Sequence, residues 1–325
     1  MRALAFVVGL AAGLLTTNFA VRADEAYPTH PVRFIVGFPP GGSADLVTRI
    51  VANGLSQSLG QSFAVENRSG AAGNIAADVV AKAPPDGYTI GLVTIASHGI
   101  NPSLYTHLPF DPVRDFSPIT LVCTQPNIMV ITPKLAQLKT VKDFIAYAKA
   151  HPGELNFGSP GNGTSIHLSG ELFKIMAGVE MTHVPFRGSA LAQPELTAGA
   201  IHVMFDNLAS IIGPVEAGSY PALAVTSKQR WRGLPDVPTL DEAGVPGFDV
   251  SSWFAIEGPP ALPRPIVDTL NAAIRGVLAA DATKQAMFKL GTEPAGGTPE
   301  ALDAHIRAEI ARWAPVVKTS GAHID

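Results

Sequence analysis

Between residues 32 and 94 the chain alternates short β-branched runs with helical periodicity, and this alternation limits the folds open to it. Val32 to Gly37 (VRFIVG) is a short apolar run bounded by prolines and reads as a buried strand. A loop follows, Pro39-Pro40-Gly41-Gly42-Ser43. Leu46, Val47, Ile50, Val51, Leu55 and Leu59 then recur at helical spacing, so residues 45–59 form an amphipathic helix that Ser43 or Asp45 can cap. A second strand over 63–67, a second helix over 74–82 and a third strand over 88–94 continue the pattern. Strand, helix, strand, helix, strand requires a parallel sheet covered by helices.

The alternation resumes further on. Strands are predicted over 127–132, 155–158, 183–185, 201–205, 222–226 and 250–256. Helices are predicted over 141–150, capped by Thr140, and over 165–177, ended by Gly178. The last stretch is helical over 265–279, 282–290 and 299–319. Two such series suggest two α/β lobes, with the C-terminal helices returning to the first. One large α/β domain is the other arrangement the pattern allows, because no low-complexity linker divides the chain.

The first residues read differently. Arg2 precedes an uncharged run from Ala3 to Leu15, and Val21-Arg22-Ala23 suits a cut before Asp24. This is the pattern of a secretory signal peptide, residues 1–23. A membrane anchor is the competing reading, but Thr16, Thr17 and Asn18 interrupt the run and a spanning helix needs about 20 mainly apolar residues. The one cysteine, Cys123, lies far from the cleavage region, so no lipid anchor and no internal disulfide are expected. The formal net charge of −4 becomes more negative when Arg2 and Arg22 are removed, which offers no general attraction for nucleic acid or anionic membrane. Any anion must be held by local dipoles and hydrogen bonds.

Two loops offer such dipoles. Phe38-Pro39-Pro40-Gly41-Gly42-Ser43-Ala44-Asp45 joins a buried strand to a helix start, where unpaired N–H groups and the helix dipole favour an anion. A tight turn with an N-cap explains the same residues. Gly158-Ser159-Pro160-Gly161-Asn162-Gly163-Thr164-Ser165 makes a similar junction. Thr164 stands where a P-loop needs lysine and Ile166 where a dinucleotide fingerprint needs its third glycine, so a carboxylate suits this loop better than a nucleotide. A plain Gly-rich turn is the alternative. A third loop from Thr94 to Asn101 (TIASHGIN) adds hydroxyls and His98. Asp206 follows a predicted strand and either points into a cleft or caps the next helix. Arg187 is a candidate partner for a ligand carboxylate or a surface charge, while Trp253 and Phe254 belong to the core or to a cleft wall. No GxSxG, HExxH or CxxC occurs, and the nine histidines have no metal-ligand spacing, so no catalytic residue, metal or cofactor is expected.

Taken together, residues 27–49 (YPTHPVRFIVGFPPGGSADLVTR), 66–90 (ENRSGAAGNIAADVVAKAPPDGYTI), 100–105 (INPSLY), 158–174 (GSPGNGTSIHLSGELFK), 183–190 (HVPFRGSA), 223–244 (LAVTSKQRWRGLPDVPTLDEAG) and 253–254 (WF) resemble the Bug family, the TctC-like periplasmic receptors of tripartite tricarboxylate transporters. The resemblance covers essentially the whole chain after residue 23. It implies a two-lobed type II periplasmic-binding-protein fold, each lobe a mostly parallel sheet flanked by helices, joined by two crossing strands. On that plan residues 24–124 and 247–325 form lobe 1 and residues 125–246 form lobe 2. A small carboxylate, either a di- or tricarboxylate or an aromatic acid, is expected between the lobes, delivered by a monomeric receptor to membrane permease subunits.

Carried over by position, Phe38, Pro39, Gly41, Gly42, Ser43, Ala44 and Asp45 form the first carboxylate loop, with Thr94, Ser97 and His98 beside it. Gly161, Gly163, Thr164 and Ser165 form the second, with Phe186, Arg187 and Asp206 near the cleft. The chain departs from the family at Phe186, where Tyr is common, and at Gln193-Pro194, which should kink or delay a helix. A periplasmic hydrolase and a sensor receptor are the rival functions.

Overall fold

The structure is a computed structural model that describes residues 27–320, 323 and 324; the expected signal peptide lies outside the described residues. The chain opens with β1 (Val32–Val36), α1 (Ser43–Leu59), β2 (Phe63–Asn67), α2 (Asn74–Ala81), β3 (Thr89–Thr94) and a short α3 (Asn101–Leu104). It continues through β4 (Ser117–Ile131), α4 (Val141–Ala150), β5 (Asn156–Ser159), α5 (Ser165–Ala177), β6 (Thr182–Pro185), α6 (Ser189–Ala198), β7 (Val203–Asn207), α7 (Leu208–Glu216) and β8 (Ala222–Val225). It ends with β9 (Ser251–Gly258), α8 (Arg264–Ala279), α9 (Asp281–Lys289), β10 (Glu293–Pro294) and α10 (Pro299–Ser320).

The ten strands join in the order β2-β1-β3-β9-β4-β7-β5-β6, with β8 and β10 also pairing with β4. Pairings are parallel at both outer ends, β2-β1-β3 and β7-β5-β6, as the strand–helix alternation predicts. The middle is antiparallel, through β3-β9-β4-β7. Strand β4 runs 15 residues and belongs to both groups: Ser117–Pro126 pairs with β9, and Asn127–Ile131 pairs with β7.

Sequence periodicity finds only the last third of β4, from Asn127 on. The part before it carries Pro118, Thr120, Thr124, Gln125 and Pro126, and proline cannot donate to a ladder. The strand accommodates this with register shifts between Pro118 and Thr120 and between Leu121 and Cys123.

Each strand group has its own apolar packing. Val47, Val51 and Leu55 of α1 press with Leu270 and Ile274 of α8 onto one group. Leu196 of α6 and Leu208 and Ile211 of α7 cover part of the other. A third cluster bridges them, from Val93 and Ile95 through Trp253 and Trp313 to Phe144, Phe157 and Phe205. Helix α6 begins at Ser189 without delay, and Pro194 sits inside it. Among the described residues no helix is long and apolar enough to cross a membrane.

Candidate functional site

A cavity of about 290 Å³ opens where strand ends and helix starts from both groups meet. One wall is the β1–α1 junction, with Phe38, Pro39, Gly42, Ser43 and Ala44, continued by Thr94 to Ala96 after β3. The facing wall carries Thr164, Ser165 and Ile166 at the start of α5, and Arg187 to Leu191 around the start of α6. Asn207 and Ser210 of α7 add to that side, while Ser252 and Phe254 of β9 are also in the lining. The first amides of a helix have no intrahelical acceptor, and their dipoles sum to a partial positive charge there. Several such starts converge on one space, an arrangement suited to negative charge.

The first loop is braced from behind. Gly41 has φ +80°, a turn that a side chain would strain, and its N–H donates to Asp45 Oδ2 at 2.9 Å. Asn67 Nδ2, at the end of β2, donates to the Phe38 carbonyl and to Asp45 Oδ1, both at 2.9 Å. Arg49 Nε donates to the same carboxylate at 2.9 Å. Burial alone would raise the Asp45 pKa, but Arg49, the Gly41 amide and Asn67 outweigh it and hold the group below its usual value. Asp45 is 2% exposed and fixes the loop's shape; neither it nor Gly41 reaches the cavity lining.

Ser43 links three parts of the molecule. Its N–H donates to Ser210 Oγ of α7 at 3.0 Å, and its hydroxyl donates to Gln125 Oε1 of β4 at 2.9 Å. Sequence reading found Ser43 but not Gln125 or Ser210, because neither lies in a glycine-rich loop.

The second loop rests on two histidines. Thr164 Oγ1 accepts the His167 N–H at 3.2 Å and donates to the Gly161 carbonyl at 2.8 Å, capping α5. His167 Nδ1 accepts the Gly163 N–H at 3.3 Å, which requires an unprotonated nitrogen there. His183 stacks on His167 with ring centres 4.1 Å apart, and its Nε2 is 2.7 Å from Ser159 Oγ. Burial, with Lys174 nearby, lowers the His167 pKa to about 4; burial, then His167 and Lys174, lower that of His183 to about 3. Both rings are therefore neutral supports. Gly161 and Gly163 shape the loop without lining the cavity.

Thr94 lines the cavity, and its Oγ1 is buried without a hydrogen-bond partner. Ser97 and His98, expected beside the ligand, stand behind Thr94 instead. Ser97 Oγ accepts the Thr94 N–H at 3.2 Å and lies 2.9 Å from His98 Nδ1. His98 is 0% exposed, with Nε2 2.9 Å from Glu257 Oε2 and its ring against Phe110 and Phe116.

Asp206, at the end of β7, is also behind the wall and 0% exposed. Its Oδ1 accepts the Ser189 hydroxyl at 2.7 Å and the Asn207 N–H at 2.8 Å, while Oδ2 is buried without a partner. Burial pushes its pKa up to about 7 against the pull of those two donors. Phe186 faces a neighbouring groove, and the exposed Arg187 borders both spaces. Phe254 lines the cavity, whereas Trp253 is core, its Nε1 donating to Glu309 at 2.9 Å. No cluster of metal ligands is present among the described residues.

A curled α/β sheet with a cavity at its strand ends is the architecture of a solute-binding receptor. Comparisons with known proteins agree. The sequence profile of the "Tripartite tricarboxylate transporter family receptor" matches residues 47–322. BugT of Bordetella pertussis is 35% identical over 325 residues, covering 100% of this chain and 99% of that protein. A solved R. palustris protein with adipate is 42% identical with a TM-score of 0.89, over 92% of this chain and 100% of that one. MatC from Rhodopseudomonas palustris with bound malate is 32% identical with a TM-score of 0.84, over 90% of this chain and 100% of that one. The chain belongs to the tripartite tricarboxylate transporter receptor family, and its fold is the one the sequence resemblance implied.

Proposed function

We propose that the protein captures a small dicarboxylate in the periplasm and passes it to the membrane subunits of a tripartite transporter, without chemical change. The single observation that carries this reading is the convergence of the α1 and α5 starts on one cavity from opposite sides. Free amides at Ala44 and at Ser165 and Ile166 are the donors, supported by the unpartnered hydroxyl of Thr94. Each charge-assisted bond of this kind contributes about 1.5–3 kcal/mol.

In this reading lobe 1 comprises residues 24–124 and 247–325, lobe 2 residues 125–246, and β4 crosses between them. The Ser43–Ser210 bond then joins the lobes in the closed form. Residues 1–23 direct export and are removed with it. The adipate and malate held by the two R. palustris relatives make these acids the first probes.

The hydrolase reading would recruit the Ser97–His98–Glu257 chain. Ser97 is 2% exposed, its oxygen is engaged by the Thr94 amide, and it lies outside the cavity lining. The chain therefore acts as a brace for Thr94, not as a nucleophile and base.

Thermal denaturation with adipate, malate and the uncharged analogue adipamide tests the reading. A ligand selective for the native state raises Tm. At least one dicarboxylate is expected to raise it and adipamide to leave it unchanged. Equal shifts from adipate and adipamide would remove the anion-binding basis of the proposal.

A further inference from the structure

Of the four buried acids among the described residues, three face a basic group: Asp45 lies against Arg49, Glu257 against His98 and Glu309 against Arg312. Asp206 is the exception. The Ser189 hydroxyl and the Asn207 N–H donate to its Oδ1, and Oδ2 is buried with nothing to bond. The titratable groups on the elements packed against β7 are His167, Glu171 and Lys174 of α5, Glu195 of α6, Glu216 of α7 and Cys123 of β4; β5 has none. None of them, nor Arg187 before α6 or His202 before β7, forms a hydrogen bond or ion pair with Asp206.

Both donors to Asp206 belong to residues of the ligand cavity. Ser189 opens α6, Asn207 ends β7, and each is in the lining. The Asp206 carboxyl therefore stands one hydrogen bond behind a wall where Arg187 is the one charged side chain among the described lining residues. Like charges separated by protein repel more strongly than they do across water. An ionised Asp206 opposes a ligand anion in a second way, because it engages the Ser189 hydrogen at 2.7 Å and withholds it from the ligand. A proton on the carboxyl ends the repulsion. Its O–H can then donate to Ser189 Oγ, which frees the Ser189 hydrogen for the cavity. Burial without a cation already pushes the Asp206 pKa up to about 7, so little is needed to add that proton near neutral pH.

We propose that capture of a carboxylate draws a proton from solvent onto Asp206, so that the receptor carries ligand and proton together. The inference rests on the proposed carboxylate capture. The proton comes from bulk water, binds one carboxylate oxygen and returns to water when the ligand leaves. Asp206 is a positioning residue here: it acts through Ser189 and through its own charge, without touching the ligand. Affinity is thereby greatest on the acid side of neutrality and falls as pH rises.

Calorimetric titration of the full chain with adipate, in buffers of different ionisation enthalpy at pH 6, 7 and 8, counts the protons. At pH 7 and above, beyond the ordinary carboxylate range, adipate brings almost none of its own. Wild type is expected to take up about 0.4 proton per adipate at pH 7, and its Kd to weaken about fivefold between pH 6 and 8. Asp206→Asn, an uncharged mimic of the acid form, should bind adipate with no proton uptake at pH 7 and 8 and a nearly constant Kd. Ser189→Ala removes a donor that stabilises the ionised form, so it should move the uptake to higher pH. Binding heats in wild type that do not depend on the buffer, or uptake that persists unchanged in both variants, would overturn the coupling and leave adipate capture intact. No adipate binding at any pH would overturn the capture reading, and this inference with it.

Discussion

Asp206 carries a carboxyl group in a place where ionisation is unfavourable. Its raised pKa means that the folded state prefers the protonated acid more than the unfolded chain does. The stability this group supports is complete below the unfolded value of 3.8 and is lost as pH rises through about 7. Asp206→Asn keeps an oxygen for the Ser189 and Asn207 donors and removes the titration. Thermal melts across pH 4 to 8 should therefore show wild type losing stability relative to the variant over that window. Parallel curves would mean that Asp206 does not titrate there. Thr94 presents the opposite case, a buried hydroxyl with nothing to bond. Thr94→Val should leave Tm unchanged or raise it, because no protein bond is lost, and should weaken adipate binding about tenfold if the ligand satisfies the hydroxyl. Calorimetry on the variant reads both effects.

At the scale of elements, the second loop is fitted against α3 through Gly163. Its φ is +79°, and a Cβ there would lie 2.6 Å from Asn101 Oδ1 and 2.8 Å from Leu104 Cδ2. Gly163→Ala should therefore hold the loop away from Asn101 and Leu104 and weaken adipate binding tenfold or more, overpacking of this sort costing about 1–3 kcal/mol. Gly178→Ala is the control: its φ is +62° with nothing nearby, so it should cost stability through the backbone alone. Equal affinity losses in the two variants would argue against a fitted loop.

Both loops were legible in the sequence because each couples a buried strand, paired glycines and a helix start at fixed spacing, although neither Ser43 nor Asp45 caps α1, which starts after Gly42 with no side-chain cap. Helices α1, α4 and α5 were legible through clear periodicity, with Thr140 capping α4 and Thr164 capping α5. Helices α6 and α7 were not, since Pro194 in one and Gly213-Pro214 in the other blur any apolar stripe. With α7 went Ser210, and with the proline-bearing part of β4 went Gln125, the two partners of Ser43. Sequence neighbours of the loops were assigned to the ligand too freely. His98 and Asp206 lie one layer behind the wall, because long-range packing against Phe110, Phe116, Ser189 and Glu257 decides where they point.

For the whole molecule, the account is one of differential affinity. Helix starts borne by two strand groups offer donors that a single anion satisfies together only when the groups are close, so the ligand favours the closed arrangement. The cross-cavity bond from Ser43 to Ser210 is a small part of that closure. The amide groups themselves give the most direct test. In ¹⁵N-labelled protein titrated with adipate, the signals of Ala44, Ser165 and Ile166 should all shift, with one common Kd. Shifts confined to one helix start, or absent from both while adipate still binds, would contradict the two-sided clamp.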